Sequence, residues 1–247
     1  MVNVVDIKDL FSGTRQAISD LIEILDPRTT GKFFTNMRIC PMKLSPIVIW
    51  VVASFITSAF LSSFIQDATV VNAILFAILI FAMWLGNYST NLLLMSSYFF
   101  YLGCYLIGSA QKLDEISAIK LAFSYSLTSV LMLVCIGIII NKLQASLIQR
   151  QTSFAEGFSL AVFSFFPTLL SGVFLATQTT FVITLLFLAY CLYIFYKGIK
   201  IRFGFENSIK IFILSVFSSG LLGMIIFVTL VTFFGIERWY WGGAFPS

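Results

Sequence analysis

The chain has 247 residues, of which 59% are hydrophobic and 11% are charged. Water-soluble domains carry about 25% charged residues, so this chain has too little polar surface to cover a globule in water. The formal charge of +4 comes from 15 Lys and Arg against 11 Asp and Glu, and this modest excess indicates membrane topology rather than nucleic-acid binding. The composition predicts an all-α, polytopic transmembrane helix bundle with membrane lipid around it and no nucleic acid among its partners.

Residues 1–45 are predicted to form a cytoplasmic head that begins with an amphipathic helix. Two bases and five acids between Asn3 and Asp26 give this helix a negative charge, whereas helices that bind anionic lipid are usually basic. We therefore expect it to pack on protein, either this chain's own cytoplasmic surface or a partner's; a loosely held interfacial helix is the alternative. Apolar residues at helical spacing form the expected partner face: Val4, Ile7, Phe11, Ile18, Leu21 and Leu25.

A basic segment follows the amphipathic helix. Asp26-Pro27 ends the helix, because the residue before a proline avoids helical geometry. Phe33, Phe34 and Met37 then fall on one side of a short helical turn. We predict a membrane-surface segment whose cations snorkel and hold the head on the cytoplasmic side: Arg28, Lys32, Arg38 and Lys43.

Residues 46–236 are predicted to form the bundle, and residues 237–247 a short external tail. Seven apolar segments approach the ~20 residues that cross the hydrocarbon: 46–65, 70–88, 91–109, 118–140, 157–176, 179–197 and 209–234. Only GNYST separates the second from the third, so these two either cross separately or form a re-entrant or steeply tilted pair. We expect about seven membrane segments, within a range of five to seven.

Small residues recur one helical turn apart in three of these segments. Such faces let helix backbones approach closely, which predicts packing within the bundle, with oligomerisation as the alternative. The three sets are Ser54, Ser58 and Ser62; Ser164, Thr168 and Gly172; and Ser215, Ser219 and Gly223.

Pro167 lies in the middle of an apolar run, FSFFPTLLSGVF. In a membrane span, neighbouring helices and nearby hydroxyls can satisfy the backbone group that a proline leaves unpaired. The sequence therefore predicts a kinked helix that is either tightly packed in the bundle or opens a polar, lipid-accessible groove.

Residues that would carry chemistry are scarce. The sequence has no histidine, the commonest general base and metal ligand, and its four cysteines form no CxxC pair. No predicted span has an Asp, Glu, Lys or Arg at mid-depth, where an ionisable group would mark a proton or ion path. Lys142, Glu156 and Lys197 lie at segment ends, where long side chains can snorkel. We predict no catalytic residues, no metal and no cofactor, and a protein that is not an enzyme.

Two parts of the chain contain longer motifs. SFAEGFSLAVFSFFPTLLSGVF has a small polar opening, an aromatic run, a proline and LLxGxF, and LLFLAYCLYIFYKGIKIRFGFENSIKIFILSVFSS adds a further span and its turn. Both segments resemble the Yip family, the Ypt/Rab-interacting membrane proteins and their bacterial relatives, and ILDPRTTGKFF resembles the bacterial branch. The resemblance covers about 155–235 and 24–45. It implies five spans in a bacterial plasma (inner) membrane, with a cytoplasmic amino end and an external carboxyl end; residues 89–140 would be an extra hairpin.

Charge placement agrees with that orientation. Most Lys and Arg residues lie in the head and in the loops 141–156 and 198–208, which an odd number of crossings places together in the cytoplasm.

The spans have no residues for chemistry, their small-residue faces favour assembly, and the head is acidic and amphipathic. We therefore predict a scaffold or accessory subunit that binds membrane or cytoplasmic proteins through its N-terminal helix. The alternative is a transporter, permease subunit or lipid-moving protein with a path beside the Pro167 kink.

Overall fold

The computed structural model describes residues 19–20, 22–37, 43–65, 67–110, 113–147, 153–170, 178–204 and 207–236. All regular elements within these ranges are helical, which confirms the all-α prediction. After helical residues at 19–20 and 22–25, the helices are α1 Thr30–Asn36, α2 Leu44–Ile56, α3 Ala68–Leu85, α4 Tyr88–Ala110, α5 Glu115–Leu147, α6 Phe154–Leu170, α7 Gln178–Phe203 and α8 Ser208–Phe233. A π-helical turn, Thr57–Leu61, and a last turn, Ser62–Phe64, prolong α2.

Several of these helices have the length and composition of membrane spans, which agrees with a membrane-embedded protein. In the described part of the chain, four meet both criteria: Ala68–Leu85, Thr90–Ser109, Glu115–Ser146 and Ser208–Phe233. Ser45–Leu61 and Phe154–Leu169 are apolar but shorter. The predicted segment 157–176 extends past α6 into residues 171–177, which lie outside the described residues.

Short polar residues define the starts of three helices. Asp67 Oδ1 accepts from the Thr69 backbone N–H (2.8 Å) before α3, and Asn87 Oδ1 accepts from the Thr90 N–H (3.1 Å) at the start of α4. Each side chain pairs with a backbone donor that has no partner within its helix. Only Gly86 and Asn87 of GNYST therefore separate two helices, α3 and α4, each long enough to span.

Asp114 has the same role before α5, where its Oδ2 accepts from the Ser117 N–H (3.0 Å). The Ser117 hydroxyl and backbone N–H hold the pKa of this carboxyl below its usual value. The connection between α4 and α5 thus ends in a capped helix start.

α5 packs against α4, α6 and α8. Ser126 Oγ donates to the Ser97 carbonyl of α4 (2.9 Å), and the rings of Tyr125 and Phe227 bring α5 and α8 together with centroids 4.4 Å apart. Gly223 of α8 lies against Met132 of α5. Small side chains at these crossings let the backbones approach.

The polar and apolar faces of α8 point in opposite directions. Small residues and Ile211 face the bundle, whereas large apolar side chains on the other side are exposed, as lipid contact requires. The buried set is Ser208, Ile211, Ser215, Ser219, Gly223 and Val231, and the exposed set includes Ile213, Phe217, Leu221 and Met224.

Candidate docking site for the N-terminal segment

Residues 22–37, here called the strap, lie along α7. Three α7 side chains donate hydrogen bonds to strap carbonyls: Tyr190 Oη to Leu25 O (2.6 Å), Lys197 Nζ to Pro27 O (2.8 Å) and Arg202 Nη2 to Met37 O (2.5 Å). Since an α-helix rises 1.5 Å per residue, the donors at 190 and 202 are about 18 Å apart along α7. The strap is therefore held at both ends through its backbone.

A compact turn gives the strap its shape. The helical residues 22–25 end at Asp26, whose Oδ1 accepts from the Arg28 N–H (2.9 Å). Thr30 Oγ1 donates to the carbonyls of Asp26 (2.6 Å) and Ile24 (3.0 Å). Asp and Thr side chains commonly stabilise turns in this way. DPRTT thus ends one helix and begins α1.

Aromatic side chains of the strap fill the crevice between α6 and α7. The rings of Phe33 and Phe163 are edge-on with centroids 5.3 Å apart, and Phe34 is fully buried. A Cβ built on Gly198 of α7 would lie 2.5 Å from Leu160 Cδ1 and 3.2 Å from the Phe34 ring. The absence of a side chain at 198 therefore lets both Leu160 and Phe34 lie close against the α7 backbone.

The side of α1 predicted to carry Phe33, Phe34 and Met37 faces protein, and all three residues are buried. Arg28 and Lys32 are exposed. Lys43, at the start of α2, is also exposed, and its Nζ lies 3.4 Å from the Leu85 carbonyl at the end of α3. Arg38 lies outside the described residues.

A single guanidinium joins α6, α7 and the strap. Besides binding Met37 O, Arg202 places Nη1 3.8 Å from Oε1 of Glu156, a residue that is only 5% exposed. The expectation that Glu156 lies at a segment end was met, but its side chain is buried rather than snorkelling. When two consecutive helices are antiparallel, the first turn of one lies beside the last turn of the other. An acid in the first turn of α6 and a base in the last turn of α7 could therefore have predicted the Glu156–Arg202 ion pair from the sequence.

Pro167 lies within α6, which stays helical from Phe154 to Leu170. Its neighbour Thr168 lies beside Cys191 of α7, and Ser164 is fully buried. The residues around the proline thus contribute to the α6–α7 contact. Gly172 lies outside the described residues.

The remaining predicted site residues divide between the bundle and the undescribed head. Ser54, Ser58 and Ser62 are buried on α2 and its extension, and Ser62 Oγ donates to Ser58 O (2.6 Å). Leu25 is half-buried in the strap. The other members of the predicted partner face lie outside the described residues: Val4, Ile7, Phe11, Ile18 and Leu21.

Comparison with protein-family models, curated proteins and solved structures gave no significant match. The Yip resemblance therefore stays a prediction. Among the described residues, no group of three or more Cys, Asp or Glu side chains is arranged to hold a metal ion.

Proposed function

We propose that this chain is a non-enzymatic membrane protein that serves as a scaffold or accessory subunit, with its N-terminal head as the partner-binding part. The observation that supports this is the strap, whose two ends are fixed on α7 by hydrogen bonds to backbone carbonyls. A segment held in this way fixes the place of its helical residues 22–25 on the bundle. A partner that binds it avoids much of the ordering entropy that a free tether would cost.

The strap exposes one large apolar side chain, Ile22, beside the predicted partner face. Ile22 lies four residues after Ile18 and three before Leu25, and its side chain is 63% exposed, whereas Ile24 is fully buried against the bundle. Exposed Glu23 lies beside it. An apolar side chain beside an exposed acid fits a partner that offers an apolar groove with a basic residue at its edge.

Cross-linking through Ile22 tests this function. A photoreactive residue at position 22, activated in native membranes and followed by affinity purification, should yield a discrete adduct with another protein. With the photoreactive residue moved to the neighbouring exposed position 23, Ile22→Asp should reduce the recovered partner about tenfold or more, because a charge would enter an apolar contact. Thr35→Asp is the matched control, since Thr35 is an exposed strap residue outside this face, and it should recover the partner as the wild type does. Recovery of no protein above background from wild-type membranes would contradict the scaffold function.

We infer five to seven crossings in a plasma (inner) membrane, with the head in the cytoplasm and residues 237–247 outside. The Arg202 contacts to Glu156 and Met37 support this orientation, because they bring the head and the loops 141–156 and 198–208 to one end of the bundle. These are the segments that hold most of the cations, and cytoplasmic loops are the ones enriched in Lys and Arg.

Reporter fusions check the orientation. A reporter fused after Ser247 should give an external signal, and a reporter inserted in the α5–α6 connection should give a cytoplasmic one, because an odd number of crossings separates the two sites. A cytoplasmic signal from the fusion after Ser247 would exclude an odd number of crossings.

The transporter alternative has one observation in its favour. On α6, the helix that contains Pro167, the hydroxyls of Ser159 and Ser164 are buried and have no hydrogen-bond partner among the described residues. Such groups are suited to line a path for a polar solute.

A further inference from the structure

Lys197 marks the place where the lipid-facing side of α7 reaches the headgroup level of the membrane. No charged residue occurs between Gln178 and Lys197, and large apolar side chains in that stretch are exposed. Tyr193 and Ile201, one helical turn before and after Lys197, lie on the same side of α7 and are 49% and 37% exposed. In a membrane span, the first cation after an exposed apolar stretch lies where hydrocarbon gives way to lipid headgroups.

The turn of the strap lies directly against this lysine. Lys197 Nζ donates to the Pro27 carbonyl (2.8 Å), and Arg28 is joined to that carbonyl by the peptide bond. Further along the strap, a Cβ built on Gly31 would lie 3.9 Å from Lys197 Cε, and Lys32 is the next residue. The backbones of Arg28 and Lys32 therefore flank Lys197, and both side chains are exposed. Arg28, Lys32 and Lys197 are here called the cation cluster.

The cation cluster has hydrogen-bond donors that the protein does not use. The Lys197 ammonium carries three N–H groups, and its bond to the strap uses one of them. In the described part of the chain, neither the Arg28 nor the Lys32 side chain makes a hydrogen bond or an ion pair. The strap has two acids, Glu23 and Asp26, and Asp26 Oδ1 already accepts from the Arg28 backbone N–H. Positive charge and unused donors therefore lie together at the headgroup level.

We propose that the cation cluster binds the phosphate group of an anionic phospholipid, whose charged end lies at this level of the membrane. A guanidinium pairs with two phosphate oxygens, and an ammonium binds phosphate as a point charge. Each Lys or Arg near an anionic membrane surface strengthens binding about fivefold. The acyl chains of the lipid lie along the exposed apolar side of α7, past Tyr193. This site does not depend on the scaffold function, because it needs no protein partner.

Thermal unfolding with added lipid tests the proposal. The full chain, purified in neutral detergent, is titrated with phosphatidylglycerol, which is anionic, or with phosphatidylcholine of the same acyl chains, which has no net charge. Phosphatidylglycerol at about ten times its Kd should raise the unfolding temperature about 3 °C more than phosphatidylcholine does, because it binds the folded protein. Equal shifts from the two lipids would overturn the proposal.

Arg28→Gln combined with Lys32→Gln removes two charges of the cation cluster at exposed positions, so the fold itself should not change. The affinity for phosphatidylglycerol should fall about 25-fold, and the extra shift should fall below about 1 °C. The matched control, Lys142→Gln with Lys210→Gln, removes two exposed cations from α5 and α8 and should keep the wild-type shift. A control that loses as much of the shift as the first variant would show a general attraction to basic surface, and the site would be wrong.

Two further measurements identify what the cation cluster recognises. Arg28→Lys with Lys32→Arg keeps both charges and should keep most of the shift; its loss would contradict binding through charge. Glycerophosphoglycerol, the same headgroup without acyl chains, should give no shift at the same concentration, because it cannot also contact the apolar side of α7. An equal shift from this soluble phosphodiester would assign the cluster to a free phosphate compound and overturn the lipid. Should the double Gln variant not accumulate, Arg28→Gln alone takes its place, with an expected loss of affinity of about fivefold.

Discussion

Replacing Gly157 with leucine is expected to force α5 and α6 apart and to destabilise the bundle more than any other single change considered. A Cβ at this position would lie 2.9 Å from the Gly137 carbonyl oxygen and 3.2 Å from Ile140 Cβ. The backbone oxygen cannot rotate away, so the helices themselves must move. We expect a loss of about 3 kcal/mol or more in the free energy of unfolding. This corresponds to a fall of about 6–12 °C in unfolding temperature for a chain of this size.

The measurement is thermal unfolding of purified protein in detergent, with Gly220→Leu as the matched control. Gly220 is exposed on α8, and no heavy atom lies within 4 Å of a Cβ built there. The control should unfold at the wild-type temperature or slightly above it, because the helix propensity of leucine is more favourable than that of glycine by about 0.5–1 kcal/mol. Unfolding of Gly157→Leu at the wild-type temperature would show that the α5–α6 contact is not as close as described.

The second large effect is expected for Arg202→Met, which should loosen the strap and destabilise the end of the bundle. The change removes the donor to Met37 O and leaves the buried Glu156 carboxylate without its cation. Breaking a buried ion pair by removing one partner costs about 3–5 kcal/mol. Because the ion pair spans 3.8 Å and the Arg202 side chain is 18% exposed, we expect about 3 kcal/mol, at the lower end of that range. Proteolytic cleavage within the strap should become faster as well.

A double mutant separates the two contributions of Arg202. Arg202→Met combined with Glu156→Gln removes the unpaired charge but not the lost bond to Met37 O, so it should recover part of the unfolding temperature while the strap stays protease-sensitive. Lys210→Met is the control, since Lys210 is an exposed cation near the start of α8, and it should change neither readout. A double mutant as unstable as Arg202→Met alone would show that Glu156 does not depend on this cation.

In the docking site, the sequence predicted the local features of the strap but not its contacts with α7. The Asp26-Pro27 break and the shared side of Phe33, Phe34 and Met37 follow from local preferences. The sequence did not predict the hydrogen bonds that Tyr190, Lys197 and Arg202 donate to the strap. No local pattern shows which carbonyl a side chain will reach. The partners of these three residues lie 165 to 170 residues away along the chain.

The sequence by itself determined that this protein is all-helical and has apolar helices suited to a membrane. Few charges and long apolar runs leave lipid as the solvent, and in lipid the backbone must satisfy its own hydrogen bonds within each helix. Only the tertiary structure decided that the strap lies along α7, that Arg202 joins Glu156 to Met37, and that Arg28 and Lys32 flank Lys197. These contacts depend on helix register and on close approach at Gly157 and Gly198, which arise when helices pack and not from the periodicity of any one segment.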